Sequence, residues 1–225
     1  MKVLIVLTNI STYGNTNKKT GLWLGEATEF IRELHPNFKI DFASPNGGKV
    51  PIDPRSIKMA DKKSLEILKS ENDFSNSISQ SLSIKDVIKK KYDLIYFTGG
   101  HGVMWDFYNN PVIEELIRFN YENGAYISSV CHGIAALFNV KTSNGEFLIH
   151  KKKITGFTKT EEILSGKRRK VPFLNEQAAK NNGADFIKKR FFKSHVVVDG
   201  HIVTGQNPYS VIELAQTINK LLIKD

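Results

Sequence analysis

Ala125-Tyr126-Ile127-Ser128-Ser129-Val130-Cys131-His132-Gly133-Ile134-Ala135-Ala136 is an apolar strand pattern that runs directly into small, helix-forming residues. A chain that turns this sharply from strand to helix makes a nucleophile elbow. The side chain at the corner projects above the sheet edge, and the first N–H groups of the helix stay free to face an anion. Cys131 occupies that corner. The positive end of the helix dipole and the neighbouring imidazole of His132 would both favour thiolate, so the expectation is an ionised, reactive sulfur.

Cys131 is the only cysteine of the 225 residues. A lone cysteine is commonly a small buried hydrophobe. Here an adjacent His132, Gly133 for close backbone approach, and the small Ser128 and Ser129 at the turn favour a reactive role instead. One cysteine excludes an intrachain disulfide and a cysteine-rich metal site, as expected in a reducing cytoplasm.

Working outward, strand-like runs occupy 2–8, 38–43, 92–98, 125–130, 153–157, 195–198 and 201–204, with helical patterns near 20–35, 109–123, 132–139, 172–182 and 208–222. Strands alternating with helices predict a mostly parallel sheet covered on both faces, an α/β three-layer sandwich of flavodoxin-like type. Ligands of such sheets bind at the carboxyl ends of the strands, where Cys131 falls. Val196 to Thr204 differs: Asp199-Gly200 between two apolar runs predicts a β-hairpin.

No Pro/Gly/Ser-rich linker divides the chain, and a single domain over 1–225 is the economical reading. Residues 44–91 combine the turns Ser44-Pro45-Asn46-Gly47-Gly48 and Pro51-Ile52-Asp53-Pro54 with short polar helical patterns. They are expected to form an insertion or lid over one end of the sheet. No apolar run approaches the roughly 18 residues of a membrane span, and residues 1–8 read as a buried strand rather than a signal peptide.

The formal net charge is +9, with 32 Lys and Arg against 23 Asp and Glu. The runs Lys89–Lys91, Lys151–Lys153, Lys167–Lys170 and Lys188–Arg190 are scattered at loops and element ends, with no interleaved aromatic platform. They read as solvated charge rather than a nucleic-acid surface.

A second glycine cluster, Phe97-Thr98-Gly99-Gly100-His101-Gly102, ends another strand. Glycines there let the backbone approach a bound group and aim an N–H at it, making Gly100 a candidate oxyanion donor, with Gly99 and His101 beside it. On the helix near 20–35, Trp23, Ala27, Phe30 and Leu34 form the apolar stripe, and Glu26 and Glu33 share its edge. Periodicity does not choose between those glutamates.

Gly99-Gly100-His101-Gly102 with Met104-Trp105-Asp106, then Val130-Cys131-His132-Gly133, then Thr155-Gly156-Phe157, closely resembles the ThiJ/PfpI superfamily of class I glutamine amidotransferase-like fold. The likeness spans nearly the whole chain, including Gly21-Leu22-Trp23-Leu24-Gly25-Glu26 and Val203-Thr204-Gly205-Gln206-Asn207-Pro208. It points to the branch of stress-inducible chaperones and glutathione-independent glyoxalases (glyoxalase III). The resemblance implies Cys131 as nucleophile, His132 as its partner, and Glu26 as a carboxyl group sharing a proton with the sulfur. It also implies an acid a few positions beyond Phe157 that orients the histidine. Offset favours Glu162 over the adjacent Glu161, although Glu161-Glu162-Ile163-Leu164 also suits the first turn of a helix. His101 would line the site.

The implied activity is attack of the Cys131 thiolate on a small 2-oxoaldehyde such as methylglyoxal, giving a 2-hydroxy acid with no metal or organic cofactor. Alternatives within the resemblance are a cysteine-dependent amidase, protease or deglycase, and a chaperone or cysteine oxidation sensor without turnover. Relatives of this kind often pair as homodimers. One departure stands out: Thr158 to Val171 is basic and carries no obvious pocket residues beyond the glutamate doublet. His35, His150, His195 and His201 lack metal-ligand spacing.

Overall fold

A computed structural model describes residues 1–223. The strands are β1 (Lys2–Val6), β2 (Lys39–Ser44), β3 (Leu82–Ser83), β4 (Leu94–Phe97), β5 (Tyr126–Val130), β6 (Lys153–Ile154), β7 (Asp185–Phe186), β8 (Val196–Asp199) and β9 (Ile202–Gly205). The helices are α1 (Leu24–Glu33), α2 (Pro54–Met59), α3 (Lys62–Lys69), α4 (Asp73–Ser79), α5 (Ile84–Val87), α6 (Val103–Asp106), α7 (Pro111–Glu122), α8 (Lys159–Leu164), α9 (Asn175–Asn181) and α10 (Val211–Leu222).

Seven strands form one sheet in the order β3-β2-β1-β4-β5-β9-β8, parallel except for the edge strand β8. Side chains of a strand alternate between faces. Leu4, Val6, Ile95, Phe97 and Ile127 therefore meet α7 on one side, while Val3, Ile5, Leu94, Tyr96 and Val203 meet α1 and α10 on the other. Burial on both faces explains why β1 and β4 read as unbroken apolar runs. The hairpin falls where Asp199-Gly200 placed it, with β8 and β9 joined through the two residues Gly200 and His201. Among the described residues no helix is long and apolar enough to cross a membrane.

Residues 44–91 carry α2 to α5 and the edge strand β3, packed on α1 and β2. The stretch 50–53 lies along the chain before α1: Leu22 N–H donates to Pro51 O at 2.8 Å, and Asp53 N–H to Leu22 O at 2.9 Å. These rungs bring Asp53 and the start of α2 toward the carboxyl end of β1.

Two expectations are corrected. The strand at 153–157 is only Lys153–Ile154, and it pairs with β7 in a separate two-stranded sheet. Thr155 to Phe157 bends instead over the elbow, where Phe157 N–H donates to Cys131 O at 3.0 Å. The helix expected at 132–139 is a 3-10 helix over Cys131–Leu137. The segment after Phe157 is structured by α8, whose first turn is closed by a capping box between Thr158 and Glu161.

Order reverses between β1 and β4, so the crevice at their carboxyl ends is the switch point of the sheet. Cys131 sits beside it at φ 58°, a left-handed conformation rare for a residue with a side chain. Close packing enforces the turn: a Cβ added to Gly133 would lie 2.4 Å from Phe97 O and 2.7 Å from Thr98 O. Gly133→Ala must push the elbow off the end of β4. Urea unfolding is expected to show a loss of about 2 kcal/mol, and an unchanged midpoint would show that the corner is not packed this tightly.

Candidate active site

The strained corner aims Cys131 at two groups of opposite character. On one side Sγ lies 3.2 Å from His132 Nδ1. His132 Nε2 in turn meets Glu162 Oε2 at 2.7 Å, and the second oxygen of that carboxylate meets His101 Nε2 at 3.0 Å. His101 Nδ1 is 3.3 Å from Arg55 Nη2. Glu162 thus lies between two imidazoles, all three groups buried.

Tautomers follow from the ends of this line. A guanidinium only donates, so His101 Nδ1 accepts from Arg55, and its proton sits on Nε2, donating to Glu162. Burial alone would raise Glu162, but the nearby imidazoles and the hydrogen bonds they donate outweigh it and hold the carboxyl below its usual range. An ionised Glu162 accepts from His132 Nε2 as well. His132 Nδ1 is then left bare to take a proton from sulfur. Burial, with His132 beside it, pushes His101 down to about 4, so that ring stays neutral near pH 7.

His101, His132 and Glu162 have ligand atoms within 4.8 Å of one another, a spacing that a metal ion could use. Ligation through His101 Nε2 would require a proton on Nδ1, against the Arg55 donor. The cluster is built as a hydrogen-bonded line.

On the other side of the sulfur is Glu26, fully buried on α1. Its Oε2 accepts from Gly99 N–H at 2.6 Å, while Oε1 has no hydrogen-bond partner. Burial pushes its carboxyl up to about 8. Glu26 is therefore mostly protonated at neutral pH, and Oε1 is the oxygen left to carry the proton, with the Cys131 thiol coupled to it. Gly99 is required here, since a Cβ would stand 2.5 Å from Glu26 Oε2. The helix wheel left Glu26 and Glu33 equal. The fold separates them: Glu33 lies at the far end of α1, against Gln216.

The expectation of a resting thiolate is corrected. Burial and the Glu26 carboxyl raise the Cys131 thiol well above its ordinary range, outweighing the bond from the His132 N–H. A short 3-10 helix, seven residues long, has too small a dipole to reverse that. Sulfur is held as a thiol between an acid and a base, and it ionises as its proton leaves for His132.

The basic segment after Phe157 carries the key carboxylates. Glu161 and Glu162 are both buried but do different work. Glu161 Oε1 accepts from Phe192 N–H at 2.9 Å, Gln206 Nε2 at 3.0 Å and Asn207 Nδ2 at 2.8 Å, while its Oε2 accepts from Thr158. It clamps α8 to the chain around the hairpin. Glu162, one residue on, points at the histidines.

Sequence reading missed Arg55 and Tyr13. Arg55 pairs with the buried Asp53 at 2.8 Å, donates to Tyr13 Oη at 2.5 Å, and reaches His101. Asp53 stood out only as a turn residue, and nothing in the spacing ties it to a site built from 26, 99–101, 131–132 and 162. Cys131 is 4% exposed, and two surface concavities of about 690 and 360 Å³ lie elsewhere, lined by residues such as Tyr126 and His201, and Tyr108 and Phe173. The opening above the sulfur is narrow.

A parallel sheet with a strained cysteine at its switch point, held between a buried glutamic acid and a histidine–carboxylate pair, defines an elbow-thiol α/β protein. The sequence matches the DJ-1/PfpI family over residues 37–221, and the chain belongs to that family. Over 97% of both chains it is 31% identical to Glyoxalase 3 of Candida albicans. It is 29% identical to the glutathione-independent glyoxalase HSP31 of Saccharomyces cerevisiae, over 93% of this chain and 92% of the other. The X-ray structure of the Francisella tularensis Rapid Encystment Protein of 24 kDa superposes with a TM-score of 0.94 at 40% identity, covering 99% of each chain.

Glu26 titrates near 8 in the fold against an ordinary 4.5, so the native state holds an extra proton between those values. Its contribution to stability falls as pH rises through that window. Glu26→Gln removes the titration. Urea unfolding at about pH 5, 7 and 9 should show the wild type losing stability relative to Glu26→Gln as pH increases. A pH-independent difference would mean that Glu26 is not neutral in the fold.

Proposed function

We propose that this protein is a glutathione-independent glyoxalase, converting methylglyoxal or a similar small 2-oxoaldehyde to the 2-hydroxy acid. The observation that carries the reading is the line Sγ, His132 Nδ1, His132 Nε2, Glu162, set against the protonated Glu26. One side of the sulfur can take a proton and the other can give one. Relatives matching over almost the whole chain bear glyoxalase names.

Cys131 sulfur attacks the aldehyde carbon while its proton passes to His132 Nδ1, with Glu162 stabilising the imidazolium. The His132 imidazolium then gives this proton to the alkoxide, which completes a hemithioacetal and leaves Nδ1 bare again. The N–H groups of Gly100 and His132 are the candidate donors to the developing oxyanion. A base, again His132, removes the hydrogen from the carbon bearing sulfur, and the electrons move into an enediolate. A proton delivered to the adjacent carbon yields a thioester of the 2-hydroxy acid, which water cleaves to acid and free thiol. In that cleavage the sulfur leaves as thiolate and takes the Glu26 proton, and Glu26 regains one from the attacking water. Every proton moves between groups of this chain, substrate and water.

The test is methylglyoxal consumption without glutathione. Wild type is expected to be active, Cys131→Ala to lose about a thousandfold or more, and Glu162→Gln and Glu26→Gln to fall about a hundredfold in kcat with smaller effects on KM. Equal rates for wild type and Cys131→Ala would remove the enzymatic reading.

A further inference from the structure

One basic run does not lie free. Tyr13 and Lys18 face each other across a tight turn, Tyr13 N–H donating to Lys18 O at 3.0 Å. Lys167 follows α8 directly, its N–H donating to Glu162 O at 3.2 Å, and a further turn returns Lys170 toward it through Lys170 N–H to Lys167 O at 2.7 Å. Two segments distant in sequence thus meet beside the Tyr13 ring, carrying Lys18 on one side and Lys167 and Lys170 on the other. Lys167 Nζ stands 5.8 Å from the centre of the Tyr13 ring, and that ring lies 5.3 Å from His101. The cluster borders the thiol site.

Lys90, Lys152, Lys180 and Lys188 each pair with a carboxylate, whereas among the described residues no carboxylate lies within ion-pair distance of Lys18, Lys167 or Lys170. Repulsion from Lys167 and then Lys18 lowers the exposed Lys170 ammonium below its ordinary range. Arg55 is already spent on Asp53 and Tyr13. Like charges gathered by two loops repel unless something of opposite sign sits among them.

We infer that Lys18, Lys167 and Lys170 form an anion-binding subsite on the Tyr13 and His101 side of the thiol site, selecting carbonyl substrates that carry a phosphate or carboxylate beyond the reacting carbon. This deepens the glyoxalase reading and rests on it for the reaction, though not for the binding. Ammonium groups bind such anions as point charges, and they also draw them in from about a Debye length away. Tyr13 links subsite and thiol site, with Lys167 over its ring, its hydroxyl on Arg55 and His101 5.3 Å away.

The experiment compares kcat/KM of the full chain for neutral methylglyoxal, hydroxypyruvaldehyde phosphate and 4,5-dioxopentanoate, at low and high salt. The comparison is repeated in the triple variant Lys18→Gln, Lys167→Gln, Lys170→Gln, with its fold checked by circular dichroism. Preference for the two anionic compounds over methylglyoxal is expected to drop about tenfold in the variant, and in wild type at high salt. The phosphate and carboxylate arms show which anion the subsite favours. Calorimetric binding of inorganic pyrophosphate, present in wild type and lost in the variant, reads the subsite without turnover. Activity on none of the three carbonyls would remove the glyoxalase reading while leaving the pyrophosphate result to stand alone. Undiminished pyrophosphate binding in the variant, or an equal fall on anionic and neutral substrates, would overturn the subsite.

Discussion

Ionised Glu162, buried between two imidazoles, sets the protonation of everything around it. An unpaired carboxylate at that depth would be expelled or neutralised, so it persists only because both oxygens receive hydrogen bonds from ring N–H groups. That requirement fixes both tautomers, and the tautomer of His132 leaves Nδ1 facing sulfur. Arg55 closes the far end of the line by giving His101 Nδ1 a donor. On the opposite side, burial without a cation leaves Glu26 protonated. Two carboxyl groups within one site thereby differ in charge, one because imidazoles flank it and the other because it is buried without a cation.

The elbow and the parallel sheet were legible because their signals are local. Apolar runs of β1 and β4 and the corner at Cys131 need only neighbouring residues to be read. Asp199-Gly200 gave the hairpin for the same reason. What failed was the state of the sulfur. A dipole and an adjacent imidazole are visible in sequence, whereas burial beside Glu26 is visible only once α1 packs under the strand ends. Likewise 153–157 has strand composition, but the pairing that decides it comes from β7, some thirty residues on.

The site residues divide in the same way. Glu161 and Glu162 form a doublet that suits a helix start and an orienting acid equally, and α8 uses both: one acid closes the cap and the clamp, the next points inward. Tyr13 and Arg55 had no signature, because their place depends on the rungs between Leu22 and the stretch 51–53. The basic run 167–170 looked like solvated charge by composition. Only the turn at Tyr13, paired with Lys18, shows that one end of it faces the pocket.

The clamp made by Glu161 has a consequence for how the protein comes into being. Its partners are Phe192, Gln206 and Asn207, and β5 gains its second neighbour only from β9. A ribosome reads out Cys131 long before any of these. Until the last quarter of the chain emerges, α8 lacks the clamp that Glu161 makes and β5 lacks its second neighbour. The surroundings of the elbow are therefore completed by the part of the chain that is made last.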